Sequence, residues 1–232
     1  MQGGAGRAEQ ITRKTLGAMI DHSLLRPDLA ADAITHGCKE AIDYNFISVC
    51  VNPAHVELAA RLLQGTDVRV CSVVSFPFGL STTDAKVMEA KIALSQGAKE
   101  IDMVMNYSAL RSGQLHSVEE DIRRVVDAAK AHHKDTIVKV IFENCYLTER
   151  QKVDACTTAV QAGVDFVKTS TGFGAGGATV EDVRLMKRTV GPKIGVKAAG
   201  GIRTLEQALQ MVDAGATRIG TSSSVSIIEA LK

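Results

Sequence analysis

No excess of one charge sign runs through this chain: 27 Lys and Arg against 26 Asp and Glu leave a formal net charge of +1 over 232 residues. That excludes a global basic field able to hold a nucleic-acid backbone or an anionic membrane, so any anion must be bound locally. Long apolar runs are missing too. No stretch of about 18 apolar residues occurs, and the start, Met1-Gln-Gly-Gly-Ala-Gly-Arg, lacks the apolar segment of a signal peptide, so a soluble cytoplasmic protein is expected. The five cysteines (Cys38, Cys50, Cys71, Cys145, Cys156) are an odd number without C-x-x-C spacing, and three lie inside apolar runs. They read as buried thiols of a reducing compartment rather than a disulfide framework. Nor is there a linker, a low-complexity tract or a composition shift that would divide the chain. With 45% hydrophobic residues, a substantial core is available and intrinsic disorder is excluded.

What is present is an alternation. Short β-branched runs (Ala18–His22, Ile47–Val51, Val68–Val74, Glu100–Met105, Thr136–Phe142, Asp165–Lys168, Lys193–Lys197 and Thr217–Gly220) read as eight strands. Between them, 54–64, 83–96, 118–132, 148–161, 180–189 and 205–214 carry apolar residues at spacings of three and four, as one-sided helices do. Three helix-to-strand joints repeat a glycine, at Gly97, Gly163 and Gly215, where a left-handed residue would end each helix. The length divided among eight units gives about 29 residues each, the size of a (β/α)8 TIM barrel; an open doubly wound sheet uses the same units. The chain is expected to hold a flexible N-terminal segment, 1–14, and a single barrel domain, 15–232. Both architectures place ligands at the carboxyl ends of the strands.

Three of the buried runs contain a lysine: Lys139, Lys168 and Lys197, each flanked by residues that face the other way. One such lysine could sit at a frayed strand end and reach water. Three on consecutive strands predict ammonium groups pointing into the barrel, where crowding and desolvation lower a lysine pKa and make a nucleophilic amine, as Schiff-base chemistry requires. Asp102, with Ile101 and Met103 on the opposite face, is expected to point inward beside Lys139, and Asp21 is a second candidate inward acid. The loops after these strands, Thr169–Gly174, Ala198–Ile202 and Gly220–Ser224, are rich in glycine and serine, which suits a phosphorylated small molecule. Gly172-x-Gly174-x-x-Gly177 also matches a dinucleotide fingerprint, but the acid that should follow near the next strand end is a lysine, Lys197. The six histidines lack metal-ligand spacing, so no metal is expected. Cys50, between Val49 and Val51, reads as a small buried residue rather than a nucleophile.

Seven segments in order carry a resemblance: IDHSLL from Ile20, VCVNP from Val49, FPFG from Phe76, EIDMVMN from Glu100, VKVIFE from Val138, FVKTSTGF from Phe166 and VKAAGGIR from Val196. The chain resembles the deoxyribose-phosphate aldolase family of class I aldolases, from Ile20 to its end. The resemblance implies a barrel that reversibly cleaves 2-deoxy-D-ribose 5-phosphate into acetaldehyde and D-glyceraldehyde 3-phosphate in deoxyribose phosphate catabolism, with no metal or organic cofactor. It implies Lys168 as the Schiff-base lysine, Lys197 as the neighbour that lowers its pKa, Asp102 as the proton-transfer acid working with a water, and Lys139 as its support. Gly172, Gly200, Gly201, Ser222 and Ser223 fall at the family's phosphate loops. The alternative is another Schiff-base barrel aldolase acting on a different sugar phosphate. A homodimer or higher homo-oligomer is expected, with no nucleic-acid or membrane partner. Phe173 stands where some members of the family have a lysine, and no tyrosine follows Tyr146, so the tail tyrosine of some members has no counterpart.

Overall fold

The structure, a computed structural model, describes residues 11–231. Eight parallel strands close into a barrel in sequence order: β1 (Ile20–Leu24), β2 (Ser48–Val51), β3 (Arg69–Val74), β4 (Glu100–Val104), β5 (Ile137–Ile141), β6 (Phe166–Lys168), β7 (Gly195–Ala199) and β8 (Arg218–Thr221), with β8 pairing back onto β1. The open-sheet alternative is thereby removed. Around it run α1 (Arg13–Gly17), α2 (Ala31–Asp43), α3 (Val56–Leu62), α4 (Thr83–Ser95), α5 (Tyr107–Arg111), α6 (Leu115–His132), α7 (Glu149–Gln161), α8 (Val180–Val190), α9 (Leu205–Asp213) and α10 (Ser224–Glu229). Of the segment 1–14 expected to be flexible, residues 1–10 lie outside the described residues, whereas Arg13 and Lys14 belong to α1. Among the described residues no helix is long and apolar enough to cross a membrane.

Local chemistry fixes where the helices begin and end. Thr82, Thr148, Thr179 and Thr204 each accept a hydrogen bond from a first-turn amide of α4, α7, α8 and α9, and Gln151 and Gln207 complete capping boxes. Each repeated joint ends its helix as its glycine suggests, with φ of +110° at Gly97, +83° at Gly163 and +113° at Gly215. A fourth joint of this kind, after α2, uses Asn45 at φ +53°.

Strand alternation sorts the side chains into two compartments. Val49, Val51, Ile101, Met103, Val138, Val140, Val167 and Val196 face outward into the continuous core shared with the helices. Inside the barrel, Leu25, Cys50, Cys71 and Val73 form a separate small apolar cluster. Barrels of this kind usually fill their interior with aliphatic layers. Here most of that space is taken by charge.

Candidate active site

Lys139, Lys168 and Lys197 all point inward and are buried. The register makes Lys168 the direct partner of Lys197 and Asp102 the direct partner of Lys139, so side chains remote in sequence meet because neighbouring strands present the same face. Asp102 is the point on which they converge. Its Oδ1 accepts a hydrogen bond from Lys139 Nζ at 2.7 Å, and its Oδ2 accepts one each from Lys168 Nζ and Lys197 Nζ, both at 2.7 Å. Gly220 leaves the room that Lys197 needs: a Cβ there would stand 2.9 Å from Lys197 Cε.

A second tier of charge supports the first. Lys139 Nζ also lies 2.6 Å from Glu100 Oε2 and 3.6 Å from Asp21 Oδ2, and Lys197 Nζ lies 2.5 Å from the same Asp21 oxygen. Arg218 bridges Asp21 and Glu100, and Ser48 Oγ donates to Asp21 at 2.8 Å. Four enclosed cations thus face three enclosed carboxylates. Burial alone would push Asp102 up, but Lys139, Lys168 and Lys197 outweigh it and hold the carboxyl well below its ordinary range. Asp21 is likewise held down, against burial, by Lys197, Lys139 and Arg218, and Glu100 chiefly by Lys139.

This arrangement corrects one expectation. The lysines were expected to stand as a crowd of cations whose mutual repulsion and desolvation lower their pKa values. Burial does favour the neutral amine, but Asp102 and its fellow carboxylates overcome it at Lys139 and Lys197, both of which are held above the ordinary lysine range. The cluster interleaves signs rather than concentrating one.

Above the cluster opens a cavity of about 590 Å³, bordered by Lys168 and Lys197 and by Asp21, but not by Asp102 or Lys139, which lie behind them. Of the residues at the expected phosphate loops, Gly172, Gly200, Gly201 and Ser222 border this cavity; Ser223 does not, its amide being bonded to Thr221 Oγ1 at 2.9 Å. Gly200 and Gly201 both adopt positive φ, +89° and +79°, where side chains other than glycine are strained. Close packing holds the rim together: a Cβ at Gly177 would fall 2.2 Å from Gly200 O, and Thr169 Oγ1 donates to Ala199 O at 3.0 Å. Glu143 braces the same rim by accepting hydrogen bonds from the Thr171 amide and hydroxyl. Phe173, at 49% exposure, also borders the cavity, with its ring edge-on to Phe76.

Sequence reasoning missed Glu100 and Arg218 as members of the buried network, and Arg26 and Arg203 at the cavity wall. The parity of Glu100 with Asp102 was a usable signal for the first. It also missed His22, which borders the cavity, hydrogen-bonds Ser224 Oγ through Nδ1 at 2.9 Å, and is pushed by burial and by His36 down to about 4, so that it is neutral near pH 7.

The profile of the DeoC/LacD family aldolases matches residues 16–226. The chain belongs to this aldolase family. It is 53% identical to a deoxyribose-phosphate aldolase of Carboxydothermus hydrogenoformans over 221 residues, 95% of this chain and 97% of the relative. It is 57% identical to one of Thermococcus gammatolerans over 212 residues, 90% and 93% of the two chains. Among solved structures it is similar to the tetrameric deoxyribose phosphate aldolase of Aeropyrum pernix, with a TM-score of 0.88 and 32% identity over 94% of this chain and 92% of that one. In this DeoC/LacD aldolase the three lysines and Asp102 form the floor and foundation of a large cavity at the carboxyl ends of the strands.

Proposed function

We propose that the chain is a deoxyribose-phosphate aldolase in which Lys168 forms the Schiff base with the substrate aldehyde. The observation that carries this reading is that two amines, Lys168 and Lys197, reach the cavity floor while sharing a single carboxylate oxygen of Asp102. The uncharged amine of Lys168 attacks C1 of the open-chain sugar, water leaves, and an iminium forms. A base takes the proton of the C3 hydroxyl, the C2–C3 bond breaks, and its electrons pass to the iminium nitrogen. D-Glyceraldehyde 3-phosphate departs and leaves a two-carbon enamine on Lys168. Protonation at C2 restores an iminium, and water releases acetaldehyde. We assign these proton movements to Asp102 and Lys197, since Lys197 connects the cavity to both Asp102 and Asp21. Among the described residues the polar contacts of Lys139 Nζ are with the acids and the Cys71 thiol, so its role is to position Asp102.

Glycine amides at 172, 200 and 201, with the hydroxyl of Ser222, are assigned to the phosphate, and Arg26 and Arg203 on the cavity wall add local positive charge that the net composition does not provide. The reading is tested by comparing cleavage of 2-deoxyribose 5-phosphate with that of fructose 1,6-bisphosphate. It expects turnover of the first alone; the reverse preference would assign the barrel to another sugar phosphate. Phe173→Lys should place an ammonium at the cavity rim and lower KM for deoxyribose 5-phosphate several-fold with little change for unphosphorylated deoxyribose. An equal effect on both sugars would detach position 173 from the phosphate.

Lys197 gives a test by pH. It shares Asp102 Oδ2 with Lys168, so Lys197→Leu leaves that oxygen to the Lys168 ammonium alone and removes a repelling charge beside it. The acidic limb of the rate profile should move upward. A profile in its original place would mean that Lys197 does not govern the nucleophile.

We place the enzyme in the cytoplasm, a reading supported by four buried, unpaired thiols at Cys38, Cys50, Cys71 and Cys156. We also propose a homo-oligomer. Exposed Phe78, Leu80, Met88 and Ile92 lie on or just before α4, and a monomeric mass by light scattering would contradict this assembly.

A further inference from the structure

Cys50 and Cys71 have no part in the chemistry above, yet they meet at the carboxylate it uses. They are direct register partners on β2 and β3, both buried and both turned into the barrel. Their two sulfurs and an Asp102 oxygen all lie within 4.8 Å of one another. Cys71 donates to Asp102 Oδ1 at 3.1 Å, and its sulfur is 3.4 Å from Lys139 Nζ. Cys50 borders the cavity beside Lys168 and Lys197, within reach of a small solute.

We propose that this pair is an oxidation site: a small hydroperoxide entering the cavity joins Cys50 to Cys71 in a disulfide that switches the aldolase off, and a thiol reductant switches it on again. Neighbouring strands stand about 4.8 Å apart, inside the range of Cα separations that disulfides span, so the link asks for side-chain rotation rather than a new backbone. The two thiols are differentiated as attacking and resolving groups must be. The neighbouring Cys71 thiol, with Lys197 and Lys168, draws the Cys50 thiol below its ordinary range against burial and the Asp102 carboxylate, whereas burial pushes Cys71 well up.

In the first step the Cys50 thiolate attacks the peroxide oxygen; the O–O bond breaks, Cys50 becomes a sulfenic acid, and the departing oxygen leaves as an alcohol or water after taking up a proton. The Cys71 sulfur then attacks the Cys50 sulfur, and its proton passes by way of Asp102 to the sulfenic hydroxyl, which leaves as water. Two thiols and one hydroperoxide give one disulfide, one alcohol or water, and one water. The oxidised Cys71 no longer donates to Asp102, and its sulfur is drawn toward β2. The carboxylate on which the three lysines converge thus loses one of its fixed partners.

The loss of activity rests on the aldolase reading, but formation of the bond does not, so peptide mass and turnover are measured separately. Cys145→Ser removes the exposed thiol and serves as the parent. This protein, and versions of it carrying Cys50→Ser or Cys71→Ser, are treated with hydrogen peroxide, each compared with its own untreated sample. The parent should yield a linked Cys50–Cys71 peptide and lose activity at least tenfold, with both changes reversed by dithiothreitol. The Cys71→Ser protein should instead accumulate higher oxides at Cys50 and fail to recover. Oxidation of other cysteines with no Cys50–Cys71 link would overturn the site. A quantitative link with turnover intact would overturn the switch, and a link in a protein that cleaves no deoxyribose 5-phosphate would overturn the aldolase reading alone.

Discussion

Asp102→Asn is expected to lower turnover by about 10²–10⁴-fold, the range that a positioned proton-transfer group supplies. It should also destabilise the fold by about 3–5 kcal/mol, because the buried Lys168 ammonium is left without its counter-ion and Lys139 and Lys197 each lose one of theirs. Both effects follow from one geometry: Asp102 holds Lys139 on one oxygen and Lys168 and Lys197 on the other. Asp102, Asp21 and Glu100 sit below their ordinary values in the fold, so their contribution is complete above about pH 5 and is lost as acid carries the pH down through those lowered values. Lys139 and Lys197 sit above theirs, so their contribution is complete at neutral pH and below, and is lost as base carries the pH up through the raised values. The cluster is therefore at full strength near neutrality, where the loss in Asp102→Asn should be largest. Denaturant unfolding at pH 7 and pH 3 measures it. Adding Lys139→Met to Asp102→Asn returns the cluster to an excess of one cation and should recover part of the stability but none of the rate. Recovery of both would mean that Asp102 only balances charge.

Lys168→Arg is expected to reduce deoxyribose 5-phosphate cleavage to background while leaving the protein folded. Arginine keeps the positive charge beside Asp102, but its guanidinium does not lose a proton in proteins and cannot condense with an aldehyde. The variant thus separates charge from nucleophilicity. Turnover within tenfold of the parent would show that the amine is not the reacting atom. Lys139→Arg makes a useful contrast: among the described residues its Nζ makes polar contacts with Asp21, Glu100, Asp102 and Cys71, so any loss there should come with lower stability.

Much of this was legible from strand alternation. One lysine in an apolar run of a sheet covered on both faces could reach water at a strand end, but three on consecutive strands favour the interior, and Lys139, Lys168 and Lys197 occupy the interior positions that reading assigns them. Asp102 was legible for the same reason. The charge balance was not, because the partners come from β1, β4 and β8 and meet only when the sheet closes. Arg218 has the right parity, yet at the first residue of its strand it reads as a side chain reaching solvent. Helix α2 escaped notice because Ala30 offers no capping side chain and its buried face is built largely from small residues, with Gly37, Cys38 and Ala41 beside Ile34. The joint that follows it uses Asn45, not the glycine that marked the other three.

The central claim is that Lys168 carries the substrate as an iminium, and borohydride trapping tests it directly. Protein incubated with acetaldehyde and reduced with borohydride should carry one ethyl group on the Lys168 peptide, and the Lys168→Arg protein should carry none. An ethyl group on Lys197 or Lys139 instead, or an unmodified Lys168 in protein that still turns over, would contradict the account.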